Sequence, residues 1–364
     1  MATLRIGLIG AGDNTRKMHI PGFQKLTDVE LVSVVNRSPE SSQRVADEFG
    51  IAKTASSVEA LLADEEVDAV CIGTWPYKHR EFTMAALAAG KHVLCEARMA
   101  RNARGAEGML AASIARPELV AQLVPAPFDF RLGPTIQRLI GEGQLGEIIE
   151  TRVRMLNGGG LDPERALHWR HSYELSGKNT MMLGIMNEML QRWLGDTLSV
   201  VADAAIHVRQ RHDAEKDRDV QVRIPDSLTV SARLANGSRV IYDISAVAGG
   251  EFGQPPGEVL LHGTEGALHW TFGDHARFAK HGAEMAEIEP DEGTDRGWQV
   301  EADFVASVRD GAPVNLTNFH DGVRYMRFIE AVWESWSQRR MIEIRAVEEN
   351  GGEAQPSLLD AKTG

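Results

Sequence analysis

The sequence predicts an α/β chain in two domains. Residues 1–124 read as a doubly wound parallel sheet, residues 125–345 as an α+β domain with an open, mainly antiparallel sheet, and 346–364 as a loose polar tail. Three observations carry this reading. The chain opens on an apolar strand, Leu4–Ile9, that runs straight into a glycine turn, Gly10-Ala-Gly12-Asp-Asn-Thr15. Strand and helix patterns then alternate as far as Val124, the rhythm of βαβ units. Beyond Pro125-Ala-Pro127 the rhythm changes. Leu228–Leu234 and Arg239–Ile244 alternate apolar and polar residues on either side of Asn236-Gly237, a dipeptide suited to a tight hairpin.

The elements follow in order. Val29–Val35 is a second buried strand. Ser38 and Pro39 then supply an N-cap and a first helical residue for a helix that ends at Gly50. A short strand near Ala52–Thr54 and a helix near Val58–Leu62 precede the strand Val67–Gly73, which leads into Thr74-Trp75-Pro76. A helix over about His79–Ala89, a strand His92–Glu96, a helix over about Asn102–Arg116 and a strand Leu119–Val124 complete the first domain. In the second, a helix near Pro134–Ile140 precedes the half-exposed strand Glu147–Met155. A long helix at about Thr180–Leu194 follows. A second hairpin turns at Gly263-Thr-Glu-Gly266, and helices cover Trp298–Val308 and Asn318–Arg339.

Composition narrows the function classes. The 364 residues suffice for two cores, and the net charge is −13 with no Lys/Arg-rich run, which argues against a nucleic-acid partner. No apolar run approaches the ~20 residues of a membrane span. Cys71 and Cys95 both lie in apolar strands and read as reduced core thiols. With no signal peptide ahead of the first strand, the expected compartment is the cytoplasm. The sequence holds no HExxH, CxxC, Walker loop or Gly-x-Ser-x-Gly elbow, so no metal site is expected.

The glycine turn points to a dinucleotide. Gly10 permits a tight exit from the strand, and Gly12 lets backbone close on a pyrophosphate facing the N–H groups of the next helix. Asp13, Asn14 and Thr15 complete that cradle. At the end of the second strand, an acid would hydrogen-bond a ribose 2′-hydroxyl. Here stand Asn36, Arg37 and Ser38, which suit a 2′-phosphate, so NADP is expected and NAD is the alternative.

An ordered set of motifs resembles the Gfo/Idh/MocA oxidoreductases, over roughly residues 4–345. It comprises Gly10-x-Gly12 with His19-Ile-Pro21, Thr74-Trp-Pro-Tyr-Lys-His79, Ala89-Gly-Lys-His-Val-Leu-Cys-Glu96 and Gly143-Gln-Leu-Gly146-Glu-Ile. The resemblance implies a Rossmann dinucleotide-binding domain plus an α/β domain, and hydride transfer between a nicotinamide and a sugar-like alcohol or ketone. It implies cofactor contacts at Thr74, Trp75, Pro76, Glu96 and Ala97. His79 joins them, although it reads as a satisfied helix-start histidine rather than a catalyst.

Two departures stand out. Where the family carries Glu-Lys-Pro, this chain has Glu96-Ala97-Arg98, so the usual lysine is Ala97. Where the family often has Asp-x-Gly-x-His-x-x-Asp, this chain has Met182-Leu-Gly184-Ile-Met186-Asn-Glu-Met189. Both usual proton-handling groups are therefore missing. The polar and aromatic segment His168-Trp169-Arg170-His171-Ser-Tyr173 through Lys178 is the expected replacement, with Lys178 as first catalytic candidate and Tyr173 as second. Arg98, His168, Trp169, Arg170 and Asn187 are the expected substrate contacts. Arg98 would hold a carboxylate, polarise a carbonyl, or form a salt bridge at the domain seam.

The leading expectation is an NAD(P)-dependent oxidoreductase acting on a carbohydrate-like substrate. Two alternatives remain open at this point: a nicotinamide-dependent glycosidase or lyase without net redox, and a dinucleotide-binding sensor without catalysis. A homodimer or homotetramer is expected, because an antiparallel sheet with helices on one face leaves its other face to be covered.

Overall fold

The structure, a computed structural model, describes residues 3–162, 164–249, 257–314 and 316–347. The first domain begins with β1 (Leu4–Ile9), a π-helical turn Thr15–His19 that continues into α1 (Ile20–Gln24), and β2 (Val29–Val35). Next come α2 (Pro39–Phe49), β3 (Lys53–Thr54), α3 (Val58–Ala63) and β4 (Ala69–Ile72). It closes with α4 (Pro76–Ala88), β5 (His92–Cys95), α5 (Ala103–Ile114) and β6 (Ala121–Leu123). The strands form one sheet in the order β3-β2-β1-β4-β5-β6, with every pair parallel. The order reverses between β1 and β4. In such sheets the crevice at the carboxyl ends of those strands takes the ligand. All four residues of β4 are buried, as expected of a strand covered by helices on both faces.

The second domain contains α6 (Gly133–Gly141), β7 (Ile148–Leu156), α7 (Tyr173–Ser176) and α8 (Leu183–Leu194). Then follow β8 (Thr197–Ala205), β9 (Gln210–Asp213), β10 (Arg218–Gln221), β11 (Ser227–Leu234) and β12 (Arg239–Ser245). The remaining elements are β13 (Gly257–Gly263), β14 (Gly266–Thr271), β15 (His275–Lys280), β16 (Ala286–Glu287), α9 (Val300–Asp310), α10 (Phe319–Gln338) and β17 (Ile342–Glu343). Among the described residues, nine strands form a sheet in the order β16-β15-β14-β13-β7-β12-β11-β8-β17. Only β7 and β12 pair in parallel; the other neighbours are antiparallel. The Asn236-Gly237 hairpin joins β11 to β12 as expected, with Gly237 at a φ of 86° that disfavours a side chain. Along β11, Leu228, Val230, Ala232 and Leu234 are buried while Thr229, Ser231 and Arg233 are exposed. One face of the sheet therefore packs on helices and the other is open.

The split at Pro125 is incomplete in space. Val300, Phe304 and Val305 of α9 join the first domain's core beside Phe23, whose ring lies 6.4 Å from that of Phe304. Cys71 and Cys95 are buried free thiols, as expected. Of the tail foreseen over 346–364, residues 348–364 lie outside the described residues.

Candidate functional site

The glycine turn closes against the end of β4. Gly10 takes a φ of 82°, and a Cβ there would sit 2.6 Å from Thr74 Cγ2. A Cβ on Gly73 would collide with Thr15 Oγ1 and the Gly10 carbonyl, so Thr15 packs where the family's third small residue usually does. The Ala11 N–H donates to Asn36 Oδ1 at 2.7 Å, which ties the turn to the end of β2. The N–H groups of Gly12, Asp13, Asn14 and Thr15 have no acceptor among the described residues; the next, Arg16, donates to the Gly12 carbonyl at 3.0 Å. This cradle fits a pyrophosphate: open N–H groups, no Cβ at the closest approach and a positive helix end.

A cleft of about 700 Å³ runs from this turn to the second domain. Its walls include Gly12, Asp13, Asn14, Thr15, Thr74, Trp75, Glu96, Ala97 and Arg98 from the first domain. His168, Trp169 and Arg170 face them from the second. Trp75 stacks on Trp169, and the Arg170 guanidinium lies 4.3 Å from the Trp169 ring centroid. Met18, Phe130, Ile185 and Trp298 also line the cleft, and sequence reasoning missed all four. No local signal marks them, because they reach the cleft only through tertiary packing.

Glu96 is fixed by a buried histidine. His19 Nε2 lies 3.0 Å from Glu96 Oε1, and its Nδ1 lies 2.5 Å from Glu301 Oε1 on α9. Burial alone would lower the His19 pKa. The hydrogen bonds to Glu301 and Glu96 outweigh burial and push it up to about 9. Burial likewise works against the Glu96 carboxylate, and His19 overcomes it, leaving the Glu96 pKa lowered. Asn14 Nδ2 donates to the same Glu96 oxygen. Neither His19 nor Glu301 was singled out from the sequence, although His19 stands in the quoted His19-Ile-Pro21 motif.

Several expected site residues sit elsewhere. Asn36 spends its amide on Ala11 and, through Nδ2, on the Ser41 carbonyl at 2.9 Å, so it holds the turn rather than a ribose. Ser38 caps α2 through Ser41 and is committed in the same way. Arg37 is exposed and paired with Glu215, which lies between β9 and β10. Pro76 starts α4 and is buried outside the cleft. His79 is also buried. Its Nε2 meets the Thr74 carbonyl at 2.8 Å and its Nδ1 the Arg98 carbonyl at 3.0 Å, so it positions two cleft segments without lining the cleft.

The structure places both catalytic candidates outside the cleft. Lys178 does not line the cleft, because its ammonium is drawn into an ion pair with Glu330 of α10. Tyr173 also stays out, with its ring between Trp333 and the Arg223 guanidinium. Asn187 is 1% exposed and donates to Tyr242 Oη and Thr197 Oγ1 within the second domain's core, away from the cleft lining. In contrast, His168 reaches the cleft. Its Nδ1 accepts the Arg170 N–H at 3.3 Å, which leaves Nε2 free. Burial, Arg170 and Arg165 lower the His168 pKa.

A six-stranded doubly wound sheet, a glycine cradle at its switch point and a cleft shared with a mixed-sheet domain define a dinucleotide-binding oxidoreductase. Residues 4–121 match an oxidoreductase family with an NAD-binding Rossmann fold, and residues 137–344 match that family's C-terminal alpha/beta domain. The chain belongs to the Gfo/Idh/MocA oxidoreductase family. It is 31% identical over 270 residues to an uncharacterized oxidoreductase of Synechocystis sp., covering 73% of this chain and 71% of that one. It is 26% identical over 302 residues to levoglucosan dehydrogenase of Pseudarthrobacter phenanthrenivorans, covering 75% and 74% of the two chains. A solved levoglucosan dehydrogenase in complex with NADH superposes with a TM-score of 0.83 at 21% identity, over 95% of this chain and 100% of that one. At that identity the likeness establishes the fold.

Proposed function

We propose that this protein is an NADP(H)-dependent oxidoreductase, with NAD(H) as the second cofactor, that interconverts an alcohol and a carbonyl on a sugar-like or polyol substrate. The carrying observation is the single cleft that joins the glycine cradle to His168, Arg170 and Arg98. The names of the relatives bring in the sugar and NAD(H), and Arg37 beside the ribose end brings in the 2′-phosphate.

Bound in the cradle, the dinucleotide supplies a nicotinamide ring that takes up or returns a hydride. Gly10, Gly12, Asp13, Asn14 and Thr15 hold its pyrophosphate. Glu96, fixed by His19 and Asn14, accepts hydrogen bonds at the nicotinamide end, and Thr74 and Trp75 wall the same end. His168 takes over the position expected of Lys178. Mainly neutral at pH 7, and with Nδ1 accepting the Arg170 N–H, it donates a hydrogen bond from Nε2–H to the substrate oxygen and stabilises the charge that develops there, while the proton that oxygen loses on oxidation, or gains on reduction, is exchanged with solvent in the cleft. We further propose a cytoplasmic homodimer or homotetramer that covers the open face of the nine-stranded sheet.

The deciding experiment incubates purified protein with each nicotinamide cofactor and a panel of sugars, polyols, keto-sugars and the matching sugar acids. Steady change in nicotinamide absorbance with substrate supports the reading. Product without such change moves the protein to a non-redox reaction, and dinucleotide binding without turnover across the panel moves it to a sensor.

A further inference from the structure

The floor of the cleft holds a cation with nothing to neutralise it. Arg98 is only 5% exposed, yet no carboxylate lies within ion-pair distance of it among the described residues. Its Nε is sealed from solvent without an acceptor. The carboxylates whose charge reaches it are already committed, Glu96 to His19 and Glu188 to Arg192. Taking a guanidinium out of water without a counter-charge is strongly unfavourable, so a fold that retains one there awaits an anion.

The side chain is also given room. Its Cδ passes Gly184 of α8, where a Cβ would approach to 2.8 Å. The stem therefore passes from the first domain onto the second, and Arg98 is among the residues that line the cleft between them. Arg170, on the facing wall, is likewise without an ion pair among the described residues. Burial, and then the charge of Arg170, push the Arg98 pKa down to about 10, so it remains a cation at neutral pH.

The dinucleotide's own phosphates do not explain this pair. Arg98 follows β5, which lies two strands from β1 and its glycine turn. At about 4.8 Å per strand, that separation is roughly 10 Å. Arg98 stands instead two residues beyond Glu96, at the nicotinamide end, where the substrate must lie.

We propose that the substrate of this enzyme is a sugar acid, a uronate or an aldonate, whose carboxylate is held by Arg98 and Arg170. A planar carboxylate matches the fork of the buried guanidinium, and a neutral sugar leaves that charge unpaired. The cleft excludes neutral sugars by the same means that it admits the acid. This rests on the oxidoreductase reading only for the word substrate; the anion site stands on Arg98 itself.

The test measures binding of matched pairs by calorimetry, with and without saturating NADPH: a hexuronate against its hexose, and an aldonate against its alditol. A charge-assisted contact predicts that each acid binds roughly 10–100-fold tighter than its neutral twin. Arg98→Met should remove that preference and leave the NADPH Kd unchanged, while Arg98→Lys keeps part of it. If Arg98→Met does not fold, Arg170→Met serves, with a smaller loss. Equal binding of acid and neutral twin overturns the proposal, as does a preference for a sugar phosphate without one for the acid. So does an equal loss for both twins in the variants. Acid preference without turnover would remove the oxidoreductase reading and keep the anion site. Turnover of neutral sugars with no acid preference would do the reverse.

Discussion

Trp75 and Trp169 stack across the cleft, one from each domain, with ring centroids 5.9 Å apart and planes 16° apart. The Arg37 guanidinium lies 5.9 Å from the Trp75 ring centroid, and that of Arg170 lies over Trp169. A stack of this kind adds about 0.5–1.5 kcal/mol beyond the area it buries. A dinucleotide that enters or leaves between the two walls has to disturb it. Trp169→Ala should therefore raise the dissociation rate of NADPH several-fold with a smaller change in association rate, as read by stopped-flow fluorescence. An unchanged dissociation rate would remove the stack from the path.

On the proposed reading, the preference for NADP(H) rests on Arg37 and on its pairing with Glu215. Asn36 and Ser38 are occupied inside the fold, so Arg37 is the remaining group of that segment able to meet a 2′-phosphate, and Glu215 competes for it. Losing a charge-assisted contact costs about 1.5–3 kcal/mol. Arg37→Ala should weaken NADPH about tenfold or more and spare NADH, and Glu215→Gln should strengthen NADPH. Titration of both cofactors decides this; equal wild-type affinities would end the NADP reading.

For His168, the expected pH profile follows from the sign of its shift. Burial and nearby arginines hold its pKa below the ordinary value, so it stays neutral to a lower pH than an ordinary imidazole. Protonating Nδ1 sets two N–H donors against each other at Arg170 and displaces the ring, so kcat should be level from pH 8 through neutrality and fall only below the usual imidazole range. His168→Ala should lower kcat by about 10²-fold, as the loss of one hydrogen-bond donor to a developing oxyanion does. Lys178→Met and Tyr173→Phe should leave kcat near the wild-type value, and a strong loss in either would return the chemistry to that segment.

The His19 cluster makes stability depend on pH in a defined sense. A histidine whose pKa rises from 6.5 to about 9 on folding contributes stability that is full below 6.5 and lost as pH climbs through 9. The size is on the order of 3 kcal/mol, from about 1.4 kcal/mol per unit. The lowered Glu96 pKa adds stability above the ordinary carboxyl range that is lost on acidification. Wild-type Tm should therefore fall between pH 7 and 10 by more than that of Glu301→Gln, as followed by calorimetry. Parallel curves would contradict the charged histidine.

Assembly is tested by mass. Light scattering at micromolar concentration should give a dimer or tetramer. Arg152→Glu with Arg154→Glu, both on β7, should shift it toward the monomer if the open face is the contact. A monomeric wild type would leave that face to solvent.

Much of the fold was legible because its signals are local. The 2.0 and 3.6 periodicities, Ser38 and Gly50 at the ends of α2, and Asn236-Gly237 between β11 and β12 are read within a few residues. The site was legible only at the glycine turn and at the family motifs. Arg37 meets Glu215, Lys178 meets Glu330 and His19 meets Glu301 across separations of 178, 152 and 282 residues. No pattern along the chain announces such pairs. Asn187 misled for a related reason: on a helix buried on nearly every side, a polar residue can be satisfied by the core instead of pointing at a ligand.

The return of α9 to the first domain changes what can be cut from this protein. Phe304 packs on Phe23 and Glu301 closes on His19, so the amino-terminal half borrows both a piece of its interior and a counter-charge from near the other end of the chain. A fragment ending at the apparent boundary would expose that apolar patch and strand His19 with a single carboxylate. The dinucleotide-binding half is thus not a portable module. A split or transplanted version has to carry α9 along, by circular permutation or as an added peptide, and the two halves should melt as one cooperative unit.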